Sequence, residues 1–253
     1  MPTVEAPAEV RHTLMQKVAL VPAYARETQG TLWDRAPRRR DLRHPRSYWH
    51  AMRLHHRLLR EGYTMTSSRR GRALQRLARR LDHDGVPGAL VDCGVWNGGS
   101  TVLLSEASPD RDVWAYDSFE GLPEAGPLDG PESTSWTGEC LGAEEKLREG
   151  FRRYASPERL HVVKGWFDQT FAATADDVGP VALLHADGDW YESVMLTLRT
   201  FYPRVSPGGF VVIDDYGAWP GAKRAVDEFR QEVGETAPMV SADFTGRYWR
   251  KTR

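Results

Sequence analysis

The chain is poor in cysteine: Cys93 and Cys140 are the two it has among 253 residues. Two thiols cannot make the disulfide framework of a small secreted fold, so a reducing cytoplasm is the expected setting. Long apolar runs are missing as well, and none approaches the roughly 18–20 residues that a membrane-spanning helix needs. The opening MPTVEAPAEVRHTLMQK interrupts its short apolar pieces with charges, unlike a secretory signal. Charge of one sign is also lacking. Lys and Arg number 34 against 35 Asp and Glu, a formal net charge of −1, which argues against a generic nucleic-acid binder. Neither a membrane nor a nucleic acid is an expected partner.

With 253 residues, 40% of them hydrophobic, the chain fits one large domain or one and a half ordinary ones, with ample material for a core. Residues 1–45 look irregular apart from a short helix at 10–20, and arginines crowd the stretch 35–80. Over 47–61, Trp49, Met52, Leu54 and Leu58 are spaced for an amphipathic helix. A second helix is predicted over 68–83, with Leu74, Leu77 and Leu81 on one stripe. Residues 1–84 therefore read as an arm with helices, suited to a substrate cap or a subunit contact, and 85–253 as the main domain.

In that domain the period changes. ALVDCGV (89–95), DVWAYDSF (112–119), LHVVKGWF (160–167), VALLHADGD (181–189) and GFVVIDDY (209–216) are runs of strand length. Helical stretches follow at 100–106, 143–154, 167–174, 191–202 and 222–233. This alternation predicts an α/β fold with a mainly parallel sheet and helices on both faces. The end, PMVSADFTGRYWRKT, reads as an antiparallel hairpin turning at Thr245 and Gly246. PLDGPESTSWTGECLG (127–142) is a long aperiodic loop after the second strand, which suggests a lid or binding loop.

Ligands of open α/β sheets lie beyond the carboxyl ends of the strands. VDCGVWNGGST places Asp92, Gly94 and a Gly-rich turn there, with Ser100 or Thr101 opening a helix. Asp117, ending the second strand, suits the two hydroxyls of a ribose. Nicotinamide dinucleotides and S-adenosylmethionine both carry that ribose. The glycines are not spaced as in dinucleotide binders, and Asp92 would oppose a pyrophosphate, so S-adenosylmethionine is favoured. In KGWFDQT, Trp166 or Phe167 is placed to cover an adenine ring or, equally, to pack the helix onto the sheet.

LLHADGDWYESV poses a further question, because Asp187 and Asp189 stand where a buried strand ends. Asp214 and Asp215 end the next strand. Adjacent strands lie about 4.8 Å apart, so these acids would converge and repel unless a cation intervened. Oxygen ligands in an incomplete shell suit Mg2+ best. Zinc is disfavoured for want of Cys/His spacing. Such an ion lowers the pKa of an alcohol and fixes it before a methyl donor, and a nearby carboxylate takes the proton. Asp187 is the candidate ligand and Asp189 the leading base, with exchange of those roles left open. The bland alternative makes Asp189 a helix cap and Asp214 with Asp215 a turn.

Several segments together resemble the macrocin O-methyltransferase (TylF-like) family, which methylates sugar hydroxyls on antibiotics. They are TM at 64–65, DGVPGALVDCGVWNGGS, YDSFEGLP, KGWFDQT, and the stretch from DGDWYES through GGFVVIDDY to AVDEFR. The resemblance covers roughly residues 62–230. It implies a Rossmann-like class I methyltransferase fold, dependence on S-adenosylmethionine and Mg2+, a small-molecule glycoside substrate, and a homodimer or higher homo-oligomer. It also implies that Asp187, Asp214 and Asp215 hold the metal and that Asp189 is the base. Around the cofactor it implies Thr64, Met65, Asp92, Gly94, Val95, Gly98 and Ser100, then Asp117, Ser118, Gly165, Trp166, Phe167 and Asp187. By placement alone, His185, Tyr191, Tyr216 and Trp219 are expected to line the acceptor site. Asp92 and Asn97 stand where the family more often has Glu and Arg. A phenol or catechol acceptor, or a noncatalytic subunit that keeps the fold for binding, are the rival readings.

Overall fold

The computed structural model describes residues 45–252. Helices α1 (Pro45–Arg60) and α2 (Ser68–His83) lead into the sheet. The short helix expected at 10–20 falls outside the described residues. Ser67 begins α2 as its cap, its hydroxyl oxygen accepting from the Arg70 N–H at 3.1 Å.

The main domain then alternates as expected: β1 (Ala89–Cys93), α3 (Gly99–Ala107), β2 (Val113–Asp117), α4 (Glu144–Tyr154), β3 (Leu160–Lys164) and α5 (Phe167–Val178). It continues with β4 (Val181–Ala186), α6 (Tyr191–Phe201), β5 (Val205–Ile213), α7 (Pro220–Glu232), and the hairpin β6 (Val240–Ser241) and β7 (Arg247–Arg250). The seven strands form one sheet in the order β3-β2-β1-β4-β5-β7-β6. β1 to β5 run parallel, and β7 returns antiparallel to β5. This is the Rossmann-like sheet with its terminal hairpin. β5 starts earlier than its apolar run, because Val205 already pairs with Val181 before the Gly-rich irregularity. α5 runs past 174 because Ala175 and Val178 still bury against the sheet.

Side chains alternate between two faces along each strand. Leu90, Leu183, Phe210 and Val212 point to one side, where Leu58, Leu74, Leu81, Leu103 and Phe151 cover them. Val91, Leu184, Val211 and Ile213 point to the other, beneath Phe171, Leu198, Val226 and Phe229. α1 and α2 thus share a core with the sheet. Among the described residues no helix is long and apolar enough to cross a membrane.

Candidate active site

The parallel strands all end on one rim, and strand order reverses there between β1 and β4. A cavity of about 570 Å³ opens at that rim. The turn after β1 brings Gly94 and Val95 to its wall, and the first turn of α3 brings Ser100. Contact dictates the glycine. Gly94 has φ +87°, and a Cβ there would stand 1.7 Å from the carbonyl oxygen of Asp187.

Asp117 and Ser118 reach the wall from the end of β2, Trp166 and Phe167 from beyond β3, and Thr64 and Met65 from the turn joining α1 to α2. The Asp117 carboxylate accepts the Trp96 N–H at 2.8 Å on one oxygen and the Phe119 N–H at 2.7 Å on the other. With a further backbone bond from Val95, the carboxylate still has lone-pair capacity for a ligand. Burial raises the pKa of Asp117 despite these backbone donors.

Three residues expected at the cofactor stand behind the wall. Asp92 is fully buried, accepting from Ser100 Oγ at 2.9 Å and Thr101 Oγ1 at 2.7 Å, so it ties β1 to α3. Gly98 lies against Leu147 and Gly165 against Thr170. Both shape turns.

The acids at the ends of β4 and β5 do converge. Asp187, Asp189 and Asp215 each offer an oxygen within 4.8 Å of the others, and ligand atoms of His185, Asp187 and Asp214 are grouped equally closely. Asp215 Oδ2 is buried without a hydrogen-bond partner. Burial, then repulsion between neighbouring carboxylates, pushes the pKa values of Asp187 and Asp215 well up. Burial also raises Asp189 to about 7, against the opposing pull of the Trp219 indole N–H. An orphan oxygen inside a knot of like charges is the situation a hard divalent cation relieves, so these residues fit such an ion.

Behind them runs a buried line of alternating charge: Asp92, His185, Asp214, Arg70 and Asp243. His185 stands 2.7 Å from Asp92 and 3.1 Å from Asp214. Burial alone would lower its pKa, yet the two carboxylates raise it to about 10. Arg70 donates to the other oxygen of Asp214, to Thr245, and to Asp243 at 2.8 Å.

None of the four residues expected to line the acceptor site is on the cavity wall. His185 has no exposure, because its two ring nitrogens are taken by Asp92 and Asp214 inside the sheet. The hydroxyls of Tyr191 and Tyr216 turn toward α7, donating to Glu228 and Asp227 at 2.7 and 2.8 Å. Trp219 caps α7 and directs its indole N–H to Asp189 at 3.0 Å. The wall at that end is instead formed by the loop after β2, through Leu122, Pro123, Glu124 and Asp129, and by Glu192 of α6.

The sequence model of the family Macrocin-O-methyltransferase (TylF) matches residues 14–251. The chain belongs to that family. It is an O-methyltransferase, as its similar relatives are. It is 34% identical over 208 residues to the demethyldecarbamoylnovobiocin O-methyltransferase of Streptomyces niveus, covering 76% of each chain. To the 8-demethyl-8-(2,3-dimethoxy-alpha-L-rhamnosyl)-tetracenomycin-C 4'-O-methyltransferase of Streptomyces olivaceus it is 37% identical over 201 residues, 75% of this chain and 76% of that one. The solved structure of the O-methyltransferase NovP superimposes with a TM-score of 0.69 at 34% identity, covering 76% of this chain and 83% of NovP.

In this TylF-family methyltransferase the long loop is a fastened wall. The Asp129 carboxylate accepts the Tyr191 N–H at 2.7 Å and the Gly126 N–H at 2.8 Å. Asn97, where Arg was expected, donates to the Gly62 carbonyl and accepts the Ala143 N–H, both at 2.9 Å. It joins the α1–α2 turn to the loop's far end. Arg70 and Asp129 were not singled out in the sequence. Arg70 is one of several arginines in α2, and its partners lie more than 140 residues away. Asp129 shares the long loop 127–142 with Glu132 and Glu139, so nothing in the local sequence set it apart.

Proposed function

We propose that this O-methyltransferase moves the methyl group of S-adenosylmethionine to a sugar hydroxyl of a glycosylated natural product, with Mg2+ in the carboxylate knot. The observation that carries the reading is the convergence of carboxylate oxygens from Asp187, Asp189 and Asp215, the last of which also has a buried Oδ2 without a hydrogen-bond partner. The names of the Streptomyces olivaceus relative and of the Micromonospora griseorubida mycinamicin III 3''-O-methyltransferase, 34% identical, support a glycoside acceptor.

Asp187, Asp214 and Asp215 would hold the ion, Asp214 through lone pairs that His185 and Arg70 leave open. When bound, the cation supplies a lowered hydroxyl pKa and a fixed orientation, and the donor supplies an activated methyl. The remaining work belongs to the chain. Asp189, beside these ligands in the knot, would accept the hydroxyl proton as the oxygen bonds to the methyl carbon. Asp117 would receive the ribose hydroxyls, and Trp166 or Phe167, both on the cavity wall, would cover the adenine. Thr64 and Met65 line the cavity from the α1–α2 turn. The methyl–sulfur bond would break as the new bond forms, its electron pair remaining on sulfur, and a neutral thioether needs no acid to leave, so alignment dominates the rate.

Competing a vicinal-diol glycoside against a catechol, with isotopically labelled methyl donor and mass spectrometry of the products, tests the reading. Label on the sugar of the glycoside supports it. Label on the catechol alone, or on neither, contradicts it.

A further inference from the structure

Asp189 is held in a way that the proposed proton transfer does not by itself require. Its backbone sits in the left-handed region at φ +55°, which few residues other than glycine adopt. One carboxylate oxygen, Oδ1, accepts the indole N–H of Trp219 at 3.0 Å. Trp219 is itself tightly fixed. Its backbone N–H donates to the Asp215 carbonyl at 3.1 Å, so it hangs from the residue that ends the carboxylate pair. Its ring packs edge-on against Trp190 at 4.9 Å and against Trp136 of the long loop at 5.8 Å. The residue is only 7% exposed.

We infer that Trp219 is a positioning residue for the transfer, its indole N–H fixing the Asp189 carboxylate so that Oδ2 is the oxygen that meets the acceptor hydroxyl. The inference rests on the base role proposed for Asp189. Trp219 is not on the cavity wall, so its indole acts through Asp189. A carboxylate free to rotate would spend less time in line with the proton, which slows turnover and leaves binding intact. Trp136 and Trp190 complete the device, because the loop that walls the acceptor site braces the same indole.

The test compares five proteins: wild type, Trp219→Phe, a protein with benzothienylalanine at position 219, Asp189→Asn, and the double variant Trp219→Phe with Asp189→Asn. Trp219→Phe is expected to lower kcat at least tenfold, ~1.4 kcal/mol. The acceptor KM, the affinity for S-adenosylhomocysteine and the affinity for Mn2+ alone are expected to stay within threefold. In the Asp189→Asn background the Phe substitution is expected to cost nothing further. Benzothienylalanine at position 219 keeps the bicyclic ring and replaces N–H by sulfur. It is expected to match the loss in kcat even if Phe leaves a cavity that unfolds the chain.

Wild-type kcat in the benzothienylalanine protein overturns the inference. So do losses that multiply in the double variant, or a fall in Mn2+ affinity parallel to that in kcat. If Asp189→Asn is slow while the position-219 variants are fast, the positioning role alone fails. If Asp189→Asn turns over at the wild-type rate, the base role fails and the inference falls with it.

Discussion

Arg70 and Asp243 stand 2.8 Å apart, 173 residues apart in the chain, with almost no exposure of either side chain. The pair joins α2 to the turn of the terminal hairpin, and Ser67 adds a 2.6 Å hydrogen bond to the same carboxylate. Burial would raise the pKa of Asp243, but the guanidinium beside it brings the value down to about 2. Because the same guanidinium also serves Asp214, the hairpin is electrically continuous with the carboxylate knot.

Breaking such a buried pair by removing one partner costs about 3–5 kcal/mol, since the other charge is left unpaired. Arg70→Met is therefore expected to lower stability by about that much in a urea titration, and Arg70→Lys by less. A change below about 1 kcal/mol for Arg70→Met would show that the pair contributes little.

The carboxylate knot predicts a separation of two affinities. Asp215→Asn is expected to reduce Mn2+ affinity more than tenfold, while S-adenosylhomocysteine binds within twofold of wild type in calorimetry. Equal losses of both would mean that Asp215 supports the cavity as a whole and does not serve the ion.

Gly94 is a backbone requirement at the cavity. Gly94→Ala would drive a methyl group into the Asp187 carbonyl, at a φ of +87° that alanine also resists. Loss of S-adenosylhomocysteine binding is expected, with turnover below one hundredth of wild type. Near-normal binding in the same calorimetric titration would count against the close approach of β1 and β4.

His55 predicts a pH dependence of stability. It is buried between α1 and α2 with a ring nitrogen 2.9 Å from the Thr66 carbonyl, and burial lowers its pKa to about 4 from 6.5. The unfolded chain takes up this proton at a higher pH than the folded one, so stability falls as pH drops through the window from 6.5 to 4. The contribution is about 2 kcal/mol between pH 7 and 5, from a shift worth 1.36 kcal/mol per unit. Urea titrations of wild type and His55→Gln at both pH values check it. The wild type should lose that much more than the variant, and equal losses would contradict the burial effect.

The order of strands and helices was readable because periodicity reports burial directly. Leu90 and Val91 alternate between faces, and the apolar runs around them mark a sheet covered on both sides. The cavity residues were readable where the rim of a parallel sheet is fixed by strand ends, as at Gly94, Asp117 and Asp187. Direction of side chains was not. Tyr191 and Trp219 begin helices, where one step in the sequence rotates the side chain by about 100°, so nearness to the acids did not put them on the wall. Arg70 and the buried role of His185 escaped for another reason. Their roles come from charge partners on other strands and helices, and nothing in the local pattern names a distant partner.

The most direct test of the account is methyl transfer to a glycoside by enzyme stripped of divalent ions with a chelator, then resupplied with Mg2+. The account predicts no labelled methyl on the sugar before resupply and full recovery after it, with Asp187→Asn failing to recover while still binding S-adenosylhomocysteine. Full-speed transfer by the stripped enzyme would contradict it.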